Sequence, residues 1–167
     1  MIVVSDTTPI ISLLKARRVE LLEAMFGEVI VPTAVYEELV SNPRFADEAE
    51  LVKSSVFIRK VILHNTQEIC LLMRSAGLDE GESEAITLAR ERRAHVLLMD
   101  EAKGRQVAKR MGLPVMGTLG LLLASCKRGL LGREDVLECI EAMEKADIRI
   151  SDTLHRYIID RLDELAR

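Results

Sequence analysis

The chain has no tryptophan, two tyrosines and three phenylalanines, so aromatics make up only 3% of its 167 residues. Base stacking on an aromatic platform is therefore excluded as the dominant mode of any single-strand contact. Cysteine is scarce too. Cys70, Cys126 and Cys139 are odd in number and far apart on helix-like segments. This excludes a disulfide framework or a zinc knuckle and makes buried thiols the expectation. The three histidines, His64, His95 and His155, show no i, i+3 or i, i+4 pairing and are assigned no chemistry. Long apolar runs are missing: Leu119 to Ala124 and Met1 to Val4 fall far short of the roughly 20 residues that span a bilayer. Asp6 and Pro9 stand where a signal peptide needs an apolar core, and the expected location is the cytoplasm. A basic excess is also absent. The net charge of −4 argues against sequence-blind duplex binding through a basic surface.

What remains is an ordinary balance of 49% apolar and 30% charged residues, which suits one domain over 1–167. Short apolar runs at 2–5, 28–31, 56–63, 96–99 and 113–116 read as strands. Helical patterns separate them: from Pro9, at 19–26 ending on Gly27, from a Thr33 cap, and from Pro43 to about Lys53. Further helices follow from Asn65, from the turn at 78–81, at 102–111 and from Thr118 to Gly129. Residues 133–146 and 151–166, the latter capped by Ser151, read as a C-terminal helical addition to a core of 1–130. Strands alternating with helices predict an α/β fold with a mainly parallel central sheet and helices on both faces.

Acids stand at the boundaries of these elements. Asp6 follows Ile2-Val3-Val4-Ser5, and Asp100 follows Val96-Leu97-Leu98-Met99. In an open parallel sheet the carboxyl ends of strands face one crevice. Glu38 lies just before the core residue Leu39, and Glu82 and Glu84 open the helix after 78–81. Glu82 and Glu84 point roughly 200° apart on a helix, and the flanking Ala85 and Leu88 favour Glu84 as the inward one. Each acid taken singly also fits a helix cap or a solvated face. Gathered in one crevice, they repel one another unless they share a hard divalent cation, and at least one is expected to have a raised pKa without it. Thr7 and Thr118 flank the strand-end acids. Arg105 is the cation placed to hold a phosphate.

The stretches Val4 to Ile10, Val31 to Leu39, Leu78 to Ile86, Leu97 to Arg105 and Gly117 to Gly120 resemble, in this order, the PIN-domain ribonucleases. The nearest likeness is to the toxins of VapBC-type toxin–antitoxin pairs. The resemblance implies a three-layer α/β/α fold and Mg²⁺- or Mn²⁺-dependent cleavage of single-stranded RNA. It maps Asp6, Glu38, Glu84 and Asp100 onto the family's catalytic, metal-binding acids. Glutamate at 84 departs from the usual aspartate, which makes Glu82 a rival there; the short spacing before Asp100 makes Glu101 one for the fourth position. The resemblance also implies a small antitoxin partner and a homodimer. A non-catalytic RNA- or protein-binding module of the same fold is the alternative, supported by the Asp-to-Glu change. A phosphohydrolase with Asp6 as nucleophile ranks below both, because such enzymes commonly carry a second aspartate where this chain has Thr8.

Overall fold

Within each buried strand, neighbouring residues enter different cores. In strand β1 (Val3–Ser5), Val3 joins the larger core and Val4 the smaller. In β4 (Val96–Leu98), Val96 and Leu98 go to the first and Leu97 to the second. Strand β2 (Val29–Pro32) divides likewise, with Val29 and Val31 against Ile30. Side chains alternate across a strand, so a sheet covered on both faces must distribute its residues in this way. The computed structural model describes residues 1–167.

The sheet has five parallel strands in the order β3-β2-β1-β4-β5, completed by β3 (Ile58–Val61) and β5 (Val115–Met116). Strand β3 is shorter than the predicted 56–63, because Val56 and Ile62 are 89% and 66% exposed and lie outside the sheet. The chain moves outward from β1 through β2 to β3. It then crosses back to place β4 on the other side of β1. The crevice between the carboxyl ends of β1 and β4 is therefore the topological switch point, where open α/β sheets bind ligands.

Ten α-helices cover the sheet. Helices α5 (Thr66–Ser75), α6 (Glu80–Glu91) and α7 (Ala102–Arg110) supply the smaller core. Helices α1 (Thr7–Lys15), α2 (Leu21–Phe26), α3 (Thr33–Ser41), α4 (Ala46–Ser54) and α8 (Thr118–Lys127) supply the larger one. Helices α9 (Arg133–Lys145) and α10 (Asp152–Leu165) add Cys139, Ile140, Met143, Ile158 and Leu162 to that same larger core. Ser151 caps α10, its hydroxyl accepting from the Leu154 amide at 3.2 Å. Of the cysteines expected to be buried, Cys139 is buried and Cys126 half-buried, but Cys70 is exposed on α5.

Three helix starts differ from expectation. Helix α1 begins at Thr7, with Pro9 inside the first turn, where its missing N–H breaks no bond. The predicted helix from Pro43 is a 3₁₀ turn (Pro43–Phe45) followed by α4. Thr33 does not cap α3: Pro32 stands in the cap position, and no side chain there makes the bond. The orphan amide is satisfied from elsewhere, and that partner belongs to the acidic crevice.

Candidate functional site

Asp6 is the first residue beyond β1. Its amide donates to the Leu98 carbonyl at 2.9 Å, which ties together the ends of β1 and β4. Asp6 itself is only 5% exposed. Burial is the main reason its carboxyl is pushed from 3.8 up to about 7, with the Thr7 amide pulling the other way. The carboxylates of Asp79, Glu82 and Glu38 raise it further. The predicted direction holds, but desolvation outweighs the like-charge repulsion that was expected to cause it. Gly81 lies beside both acids: a Cβ there would make ordinary contacts of 3.5 Å to Asp79 Oδ1 and 3.7 Å to Asp6 Oδ1.

Two of the other acids, Glu38 and Asp100, are each held by a threonine hydroxyl at the start of a helix. Thr7 Oγ1 donates to Glu38 Oε2 at 2.7 Å, bringing α1 and α3 together at the crevice. Thr118 donates twice to Asp100: its amide to Oδ1 at 2.7 Å and its hydroxyl to Oδ2 at 2.6 Å. Asp100 thus caps α8, not the helix α7 that comes after it in sequence. Gly117 permits this approach, since a Cβ there would lie 2.9 Å from Asp100 Oδ1. Both threonines, candidates for substrate contact beside the strand-end acids, are buried with their hydroxyls engaged on these carboxylates.

The start of α6 corrects the orientation expected of its two glutamates. Asp79 and Glu82 form a reciprocal capping box: the Glu82 amide donates to Asp79 Oδ1 at 2.7 Å, and the Asp79 amide to Glu82 Oε2 at 2.9 Å. Glu82 is buried there, and desolvation is the main reason its pKa is raised, with the Asp79 amide of the capping box pulling the other way. Glu84 instead accepts the Ala34 amide at 2.8 Å, supplying the missing cap of α3 one turn before Glu38. Glu82 is the acid beside Asp6, and Glu84 is the acid that reaches across from α6 to cap α3. Glu101 is exposed and raises Glu82 slightly through its charge. Arg105 donates Nη1 to the Met99 carbonyl at 2.9 Å, so the expected two-pronged phosphate grip has one prong already engaged.

Two hollows flank this arrangement. The larger, about 580 Å³, is lined by Thr7, Glu38, Lys15 and Arg44 among others. The smaller, about 300 Å³, is lined by Asp100, Glu101, Thr118 and Arg149 among others. Exposed Thr8 and half-buried Ile148 line both. The link between α9 and α10 is therefore a wall of the crevice, which the expected C-terminal addition did not foresee. Asp79 was also missed, although Asp-x-x-Glu before an apolar helix is a readable capping signal.

The donor set is all carboxylate oxygen, the chemistry that hard divalent cations take. A buried acid without a counter-charge, as Asp6 is, fits such an ion. The present side-chain arrangement nevertheless contains no group of three or more His, Cys, Asp or Glu arranged to hold a metal ion.

Comparison with curated proteins and with solved structures yields no match. A family model described as a PIN domain matches residues 2–164, nearly the whole chain and including the C-terminal helices. The all-parallel five-stranded sheet between two helical layers agrees with that match. The chain belongs to the PIN-domain family.

Proposed function

We propose that the chain is a divalent-metal-dependent endoribonuclease that cleaves single-stranded RNA, acting as the toxin of a type II toxin–antitoxin pair. PIN domains are generally nucleases and usually use divalent metal ions. The observation that carries the reading is Asp6: a buried, uncompensated acid at the switch point, in the field of three further carboxylates and across from Asp100.

In this reading Asp6, Glu38 and Asp100 hold Mg²⁺ or Mn²⁺, with a further ligand from the start of α6, either Glu84 or its neighbour Glu82. The bound ion would lower the pKa of an attacking water and neutralise charge building at the scissile phosphate. Thr7 and Thr118 fix the rotamers of Glu38 and Asp100, so that these oxygens need little reordering. Arg105, anchored to Met99, offers its remaining guanidinium edge to the RNA backbone. A small antitoxin and a second copy of the chain are the proposed partners, by family likeness. The cytoplasm is the proposed location, and no helix is long and apolar enough to cross a membrane.

Incubating single-stranded RNA with the protein and Mn²⁺ tests this, with Asp6→Asn as control. Cleavage by the wild type alone supports the nuclease. RNA left intact by both proteins overturns it and moves the chain to the second reading, a non-catalytic RNA- or protein-binding module. That reading draws support from the internal bonds that engage Glu82, Glu84 and Asp100. For the toxin role, an adjacent reading frame encoding a small DNA-binding protein is the expected finding.

A further inference from the structure

The two hollows beside the acids are lined by three cations. Lys15 is paired with Glu48. Arg44 and Arg149 are both exposed, and neither guanidinium makes an ion pair or hydrogen bond. Each nonetheless shares its hollow with carboxylates: Glu38 and Asp147 beside Arg44, Asp100 and Glu101 beside Arg149.

Both arginines sit on tight, capped backbone. Arg44 lies in the 3₁₀ turn Pro43–Phe45, and its amide donates to Asn42 Oδ1 at 3.0 Å. Arg149 comes just after a Schellman-type end of α9. The Ile148 amide donates to the Met143 carbonyl and the Asp147 amide to the Glu144 carbonyl, each at 3.0 Å. Asp147 has φ +62°, a left-handed conformation that costs an L-residue about 1–2 kcal/mol and is usually given to glycine. Ile148 and Met143 then line the same hollow as Arg149, the apolar contact that accompanies this motif. The crevice thus has an exposed, unpaired arginine on well-defined backbone on either side of its carboxylates, with Thr8 and Ile148 lining both hollows.

We propose that Arg44 and Arg149 bind backbone phosphates of one RNA strand on either side of the phosphate that reaches the acids, the strand running from one hollow past Thr8 and Ile148 into the other. This deepens the nuclease reading and rests on it. Arginine suits the task because its planar fork matches phosphate oxygens, and each phosphate contact on a single strand steepens the salt dependence of binding by about 0.7.

The test measures binding of a fluorescently labelled single-stranded RNA to the wild type in EDTA over a salt series. Arg44→Ala and Arg149→Ala are compared with Arg90→Ala, whose side chain is paired with Glu68. Each of the first two is expected to weaken binding several-fold and to reduce the slope of log K against log salt by about 0.7. Arg90→Ala should do neither. Arg44→Lys and Arg149→Lys should restore most of the slope. With Mn²⁺ present, the alanine variants should raise KM more than they lower kcat. A binding constant and salt slope unchanged in both alanine variants, with thermal melts matching the wild type, overturns the proposal. If the wild type still cleaves RNA in that case, only the strand path fails; if it does not, the nuclease reading fails as well.

Discussion

Asp6 and Asp100 look alike in sequence, each following a short, mainly apolar strand segment, yet the fold treats them in opposite ways. Asp100 has both oxygens satisfied by Thr118 and is only half-buried. Asp6 is almost fully buried, has no side-chain cap bond to α1, and faces three other carboxylates. The difference arises from the connection that leaves each strand. After β1 the chain turns directly into α1, so the Asp6 side chain is left in the crevice floor. After β4 it reaches α7 by way of Glu101, which frees Asp100 to cap α8 across the crevice. One acid is thus prearranged; the other is held ready at a cost in stability. A cation would relieve the second far more than the first.

The sharpest way to break this contrast is cleavage. Asp6→Asn and Asp100→Asn should each lose on the order of 10³-fold in Mn²⁺-dependent activity, since several kcal/mol of charge stabilisation go with the cation they hold. If Asp6→Asn remains active, the crevice acids do not act together.

Stability against pH separates the two acids next. In the metal-free protein the Asp6 pKa lies at about 7 when folded, against an ordinary value of 3.8. The native state therefore holds this proton more tightly than the unfolded chain does. Its stability should fall as pH rises from about 4 to 7, then level off with the penalty complete. At about 1.4 kcal/mol for each pH unit between the two values, that penalty is at most about 4 kcal/mol. Urea unfolding at pH 5 and pH 8 checks this. Asp6→Asn should remove most of the difference, leaving the smaller part that the raised Glu82 contributes, and be more stable than the wild type at pH 8, whereas Asp100→Asn should retain it. Added Mn²⁺ should stabilise the wild type more at pH 8 than at pH 5.

The threonines come next. Thr118→Val removes one of the two donors to Asp100, and Thr7→Val removes the hydroxyl donor to Glu38. Groups that orient metal-binding side chains typically matter by about 10–100-fold in affinity or activity, and that loss in cleavage is expected for both variants. Thr118→Val should show the larger loss of thermal stability, because Asp100 is half-buried whereas Glu38 is exposed and water can replace its lost bond. Equal activity in wild type and both variants would mean that the carboxylates need no holding.

The sheet, its helical layers and the strand-end acids were legible because alternation of apolar strands and amphipathic helices carries them. The partners of those acids were less so. Nothing in local sequence says that Asp100 reaches Thr118, 18 residues on, or that Glu84 reaches Ala34, 50 residues back. These bonds exist because two helix starts lie at the same sheet edge and need acceptors for orphan amides. The Asp79–Glu82 pair was readable as a capping box; its closeness to Asp6 was not, since it depends on how α6 lies across β1. The α9–α10 link was invisible for a similar reason: a left-handed aspartate and an isoleucine announce no site until the helices that end there are packed.

The smallest expected effect bears on the choice between Glu82 and Glu84. Glu84→Gln keeps a side-chain carbonyl that can accept the Ala34 amide, so the cap of α3 survives. It loses only the negative charge at the helix N-terminus, worth about 0.3–1 kcal/mol. If Glu84 acts solely as a cap, cleavage should be nearly unchanged and the melting temperature slightly lower. Glu82→Gln differs: it removes a buried carboxylate from the field of Asp6, so the apo Asp6 pKa should fall and the pH dependence of stability should weaken. Should Glu84→Gln lose activity as heavily as Asp6→Asn, then Glu84 leaves Ala34 when the cation binds, and the third ligand is the one bound in this structure to a helix amide.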